Sequence, residues 1–289
     1  MIEGYRARNE SDIQLAVKQL FIGVAPERSD ELSKLWDEYQ LRFNLLPEDG
    51  RDGKFVMDAG AYRDVRFNHR ALRAFWVSVF AAWEGYRVAL GDAIDSSRFR
   101  SLLDAVHEIL ETEDPCEVQL PDGIPAPGVF VEARLDSQAR AAAELAVFSA
   151  GWALLHEVRH IQHQQAGTSA EIDGALESKH AEEVSCDEFA IRFILERSGD
   201  YATQHSVSKE LVDQKRQAGV HLALFALTVI ARNHWAATKD HPSIQTRIDE
   251  VWRGIRRCGM NSEAALIARL AFHSLTEVYV EAPRPPCAD

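Results

Sequence analysis

The stretch Leu145 to Gly167, LAVFSAGWALLHEVRHIQHQQAG, decides how this chain is read. Within it His156 and His160 stand four residues apart, with Glu157 beside the first. On a helix, positions i and i+4 project from one face about 6 Å apart, so both imidazoles can reach a single Zn²⁺ at about 2.0–2.1 Å. Glu157 then falls beside the ion, placed to take a proton from an activated water rather than to ligate. Leu145, Phe148 and Trp152 form one apolar stripe whose continuation carries His156 and His160. The histidines therefore face the interior, where an imidazole needs a partner and a metal supplies one. The plain alternative is a surface helix with two solvated histidines. Gly167 reads as the stop signal of this helix.

A catalytic zinc takes three protein ligands and leaves its fourth position to water. His163 lies seven residues beyond His156, about 10 Å along the axis, too far to share the ion. The better source is the next helix, read from about Ile172 to Leu195 and containing EEVSCDEFA at Glu182 to Ala190. On a helical wheel Glu183 and Asp187 share a stripe with Val184, Ile191 and Ile194, and Glu182 points to the other side. A carboxylate pair in an apolar stripe is costly without a compensating positive charge, so Glu183 is read as the third ligand and Asp187 as an acceptor that orients a ligand histidine. A structural ion pair is the alternative. His180 is in the same stripe, as another ligand or as a core histidine.

Three ordered motifs carry a family resemblance: HEVRH, then Glu183 with Asp187 four residues on, then HPSIQTRI at His241 to Ile248. Together they resemble the signature of the gluzincin peptidases related to HtpX and the CAAX-prenyl protease. The resemblance implies a zincin-like core with a Zn²⁺ cofactor held by His156, His160 and Glu183, and Asp187 as support. It also implies His241 as a polar group facing the scissile carbonyl or the metal, and Arg247 as a clamp on the buried carboxylates. HisPro followed by Arg also arises from ordinary helix capping, because proline suits a first turn. Chain length and the mid-chain position of HEVRH are similar to the Lit-type phage-exclusion peptidases. That similarity implies phage defence: an abortive-infection enzyme, triggered by a phage-derived activator, that cuts a host translation factor. The expected activity is zinc-dependent hydrolysis of peptide bonds in a protein substrate, with Glu157 as the general base. One rival is a catalytically inactive zinc module whose site is closed by a fourth protein ligand such as His180 or His241. Another is a metal-free interaction protein with a buried polar network.

Composition bounds the rest. The 289 residues are 46% hydrophobic, enough for a sizeable core. A net charge of −13 argues against a nucleic-acid partner. Cys116, Cys186, Cys258 and Cys287 show no paired spacing, which suits free thiols in the cytoplasm. The start MIEGY lacks an export signal, and neither Ala71 to Leu90 nor Ala218 to Ala231 reaches the roughly 20 mostly uncharged residues that a membrane span needs.

The expected fold is mainly α (α+β), with a small β-sheet or hairpin beside the active-site helix. Helices are expected at Ser29 to about Phe43, Asn68 to Leu90, Ser96 to Glu111, and near 206–233, 242–257 and 262–279. Lys54 to Phe67 alternates well enough for one or two short strands. Residues 116–135 read as a hairpin, with Val129 to Leu135 as the strand that either holds substrate at its edge or packs under the helix. The expected organisation is a helical region at 1–115, a metallopeptidase domain at 116–281 and a flexible Pro-rich tail at 282–289.

Overall fold

The spine of the protein is helix α5, Ser137–Ala166, thirty residues long. The Asp136 side chain caps its start by accepting from the amides of Gln138 and Ala139, and Gly167 ends it in the left-handed conformation at φ 67°. The computed structural model that shows this describes residues 10–50, 54–92, 95–170, 175–232 and 234–286. Among them are ten α-helices, a 3-10 turn at Pro26–Arg28 and one three-stranded sheet, which is the mainly helical fold that the sequence implies.

Helices α1 (Glu10–Val24) and α2 (Ser29–Tyr39) open the chain, followed by strands β1 (Arg42–Leu46), β2 (Met57–Ala59) and β3 (Asp64–Asn68). The sheet order is β1-β3-β2: β1 runs parallel to β3, and β2 antiparallel to it with Asp58 opposite Arg66. Then come α3 (His69–Leu90) and α4 (Ser97–Glu111), and after α5 the helices α6 (Leu176–Leu195), α7 (Ser198–His205), α8 (Lys209–Ile230), α9 (Ile244–Cys258) and α10 (Ser262–Thr276). Asn68 caps α3 by accepting from the Ala71 amide, as its position before the apolar run suggests. One apolar cluster joins Phe43 and Phe67 of the sheet to Val77 of α3, Leu155 of α5, Phe225 of α8 and Leu275 of α10. It crosses residue 115 without interruption.

α5 and α8 pack at very close range. A Cβ on Gly219 would come within 2.3 Å of the Phe148 Cβ, and Ser149 Oγ donates to the Gly219 carbonyl at 2.6 Å. On the far side of α8, His221 is fully buried with its ring 4.2 Å from that of Trp252, and neither ring nitrogen meets a hydrogen-bond partner among the described residues.

Several expectations need correction. Residues 116–135 contain no strand. Pro121, Pro125 and Pro127 cannot donate to a ladder, Gly123 and Gly128 both adopt φ 79°, and the segment turns repeatedly instead. It is anchored from α3, where Trp76 Nε1 donates to the Pro125 carbonyl and Arg73 to that of Val118. Val129, Phe130 and Leu135 are exposed, so Val129 to Leu135 is no substrate-holding edge. α2 ends at Tyr39, with Gln40 at φ 48° turning the chain into β1, rather than continuing to Phe43. The start of the next predicted helix at Ile172 lies outside the described residues, and α1 and α7 escape the sequence reading. The tail is docked through residue 286: Gln245 and Arg284 exchange side-chain-to-backbone hydrogen bonds at 2.9 and 3.1 Å, and Arg269 Nε donates to the Pro286 carbonyl. Cys287 lies beyond the described residues.

Two outcomes follow from this packing. Gly219→Ala is expected to lower the unfolding free energy by roughly 1–3 kcal/mol, since the added methyl must push α5 and α8 apart; a change under about 0.5 kcal/mol in denaturant titration would show that the interface yields freely. Burial, with Arg269 adding to it, holds the His221 imidazole down from its ordinary 6.5 to about 3. The unfolded chain therefore binds this proton first, and stability is lost as pH falls from about 6.5 towards 3, by up to about 1.4 kcal/mol per pH unit. Comparing melting temperature against pH for the wild type and His221→Leu should show a flatter acid limb in the variant.

Candidate metal centre

α5 and α6 run antiparallel, so that His156 meets Asp187 while His160, one turn further along α5, meets Glu182 and Glu183 one turn earlier on α6. His156 Nδ1 donates to Asp187 Oδ1 at 2.7 Å, and His160 Nδ1 donates to Glu182 Oε1 at 2.7 Å. A carboxylate can only accept, so each imidazole carries a proton on Nδ1, and Nε2 is the nitrogen that either donates to Glu183 or, once deprotonated, presents a lone pair to a metal ion. The two Nε2 atoms are 3.2 Å apart. Glu183 supplies the third corner, with Oε2 3.4 Å from His156 Nε2 and Oε1 3.4 Å from His160 Nε2. In the absence of an ion, protons on the imidazoles satisfy this cluster; an ion bound here would replace them. Ligands at about 2.0–2.1 Å around a tetrahedral ion are separated by about 3.3–3.4 Å, and the Nε2–Nε2 distance and each nitrogen's nearest Glu183 oxygen are of that size, so the residues are of a kind and spacing that could hold a metal ion such as zinc.

The surroundings stabilise this concentration of negative charge. Arg247, from the first turns of α9, grips Asp187 with two hydrogen bonds, Nη2 to Oδ1 at 2.6 Å and Nε to Oδ2 at 3.1 Å, and its Nη1 lies 3.9 Å from Glu183. Its guanidinium also lies over the Trp152 ring, 5.6 Å from the centroid. Asp187 is almost fully buried, and burial alone would raise its carboxyl. Arg247 and His156 outweigh that and hold it below the usual range. Burial would likewise lower the His156 imidazole, but Asp187 raises it to about 8. Glu183 is held far below an ordinary carboxylate, with hydrogen bonds from His156, His160 and His241 overcoming its burial.

Glu157 stands apart from this network. It is half-buried and takes part in no hydrogen bond or ion pair among the described residues, and burial pushes its carboxyl up. Asp58 of β2 adds to that shift, and β2 packs against α5. His241, on the loop between α8 and α9, is mostly exposed, with its Nδ1 3.1 Å from Glu183 Oε1.

Of the residues singled out in the sequence, the structure brings His156, His160, Glu183, Asp187, His241 and Arg247 to one place. His180 does not join them; its Nε2 lies 3.3 Å from the Thr238 carbonyl. His163 also stays outside, between Thr168 and Ser185. Glu182 does not point away, because the two nitrogens of one imidazole face opposite edges and adjacent carboxylates can serve both. Cys186 is a second residue the sequence gives no reason to select. Its buried thiol belongs with His156 and His160 to a set of side chains able to hold a metal ion.

Removing one member of the buried ion pair leaves the other uncompensated. Arg247→Ala is expected to lower the unfolding free energy by about 3–5 kcal/mol, and Arg247→Lys to recover only part of it, since lysine cannot bind a carboxylate in two-pronged fashion. Equal stability of the alanine variant and the wild type in urea unfolding would show that the pair contributes little.

The family model for peptidase U49 matches residues 65–268, from β3 into α10. No curated protein and no solved structure matches the chain. The matched span contains both histidines of HEVRH, the carboxylates of α6 and the arginine of α9, and the chain belongs to the peptidase U49 family.

Proposed function

We propose that this peptidase is a zinc-dependent endopeptidase of the gluzincin type, with His156, His160 and Glu183 as ligands and Glu157 as general base. The observation that carries the reading is the convergence of His156 Nε2 and His160 Nε2, 3.2 Å apart, on the Glu183 carboxylate, whose Oε2 lies 3.4 Å from the first and Oε1 3.4 Å from the second. When bound, the ion supplies Lewis acidity at the remaining open vertex. Glu157 is suited to take the proton of the attacking water, because its carboxylate is committed to no other partner among the described residues and sits beside the two histidines in a poorly solvated position. The same carboxyl then returns the proton to the leaving amine. Asp187 and Glu182 keep the imidazoles in the tautomer that ligation needs, and Arg247 holds Asp187 in place. His241, with Nδ1 3.1 Å from Glu183 Oε1 and most of its ring exposed, is the polar group that would face the substrate carbonyl.

The substrate in this reading is an extended segment of a protein. The strand that packs on α5 at the end of the sheet is β2: among the described residues it pairs only with β3, and the reading has the substrate add to its other edge. No described helix is long and apolar enough to cross a membrane. Together with the resemblance to Lit-type peptidases, this supports a cytoplasmic enzyme of phage defence that is triggered by a phage component and cuts a host translation factor.

Glu157→Gln tests the assignment. The variant is expected to keep about one equivalent of zinc while losing cleavage by a factor of 10² or more, the scale of removing a general base. Wild type and variant are incubated with cell lysate, with and without phage components, and new protein termini are mapped. A defined cleavage made only by the wild type supports the proposal. The same cleavage by both, or loss of zinc from the variant, contradicts it.

A further inference from the structure

The metal centre has one neighbour that this mechanism does not use. Cys186 stands three residues beyond Glu183 on α6, on the flank that faces α5, and is fully buried. Its Sγ lies within 4.8 Å of a ring nitrogen of both His156 and His160. The other two described cysteines, Cys116 and Cys258, are exposed and free. α6 thus offers the same pair of histidines two donors of different chemistry, the Glu183 carboxylate and the Cys186 thiol. A buried cysteine in an apolar core is merely a small hydrophobe, but this one is packed against an imidazole and near the carboxylates of Glu157 and Glu183.

We propose that Cys186 is a fourth ligand in the resting protein, so that His156, His160, Glu183 and Cys186 close the coordination sphere and the open form arises when the sulfur withdraws. The inference rests on the metal reading proposed above. A zinc–sulfur bond is about 2.3 Å against about 2.0–2.1 Å for nitrogen, which sets the sulfur about 3.5 Å from each nitrogen in a tetrahedral site. In the structure the sulfur lies within 4.8 Å of a ring nitrogen of each histidine, so ligation requires it to approach by no more than about 1.3 Å, through its side chain or through a small movement of α6. On ligation the S–H bond breaks, the sulfur–metal bond forms, the proton passes to solvent and a water molecule leaves the ion. Nothing is oxidised or reduced. A closed sphere has no vertex for a substrate carbonyl, so the position of α6 relative to α5 sets whether the centre works. The sequence-based rival of a closed zinc module becomes, in this view, one state of the enzyme, with Cys186 rather than His180 or His241 as the closing ligand.

The test uses the full chain loaded with cobalt(II). The wild type is expected to show a thiolate-to-cobalt charge-transfer band in the near ultraviolet. Cys186→Ser and Cys186→Ala should bind the same one equivalent of cobalt and lack the band. A wild type that binds cobalt without the band, or variants that retain it, overturns the role of Cys186 and leaves the three-ligand reading standing. A wild type that binds no cobalt brings down the metal reading itself. Should the variants fail to fold, zinc-edge X-ray absorption on the wild type decides the matter: a sulfur scatterer at about 2.3 Å is expected, and a shell of nitrogen and oxygen alone overturns the proposal.

Discussion

Everything in this site depends on two hydrogen bonds that face away from its centre. By accepting from Nδ1 of His156 and of His160, Asp187 and Glu182 fix the orientation of both rings and aim both Nε2 atoms at one place. With the Glu183 carboxylate closing the triangle, that point has a strong demand for positive charge, which a metal ion satisfies and a hydrocarbon core could not. Without those outer carboxylates either ring could rotate. The inner geometry would then be one arrangement among several.

Burying three carboxylates and two imidazoles is expensive, and the fold offsets the cost from a third helix. Arg247 comes from α9, sixty residues beyond Asp187, and spans Asp187 and Glu183 while packing on Trp152 of α5. Three helices are thereby tied through one guanidinium. The long helix α5 is in turn held by α8, whose Gly219 lets the two backbones approach closely enough for Ser149 to reach across. The sheet completes the surroundings, packing its shortest strand against α5.

Much of the site could be read from sequence because it is built on helical periodicity, which needs no knowledge of the tertiary fold. His156 and His160 repeat at one turn on α5, Glu183 and Asp187 at one turn on α6, and each pair continues an apolar stripe. What periodicity cannot supply is which edge of a ring a neighbouring helix meets, and so Glu182 was assigned to the wrong side. Cys186 carries no signal either, since a single cysteine acquires meaning only from what the fold places around it. The helix boundaries at Asn68 and Gly167 were legible because the capping residues state them locally. The strands were harder. β1 owes its existence to β3, about twenty residues away, and the alternating residues after Gly128 look like a strand but have no partner to pair with.

Zinc-edge anomalous diffraction from crystals of the zinc-loaded protein tests the central claim most directly. The account predicts a single strong peak between α5 and α6, about 2.0–2.1 Å from Nε2 of His156, Nε2 of His160 and an oxygen of Glu183, with both Nδ1 atoms still on their carboxylates. A zinc-loaded crystal with no anomalous peak at that point, and with the two Nε2 atoms bridged by a proton instead, would contradict it.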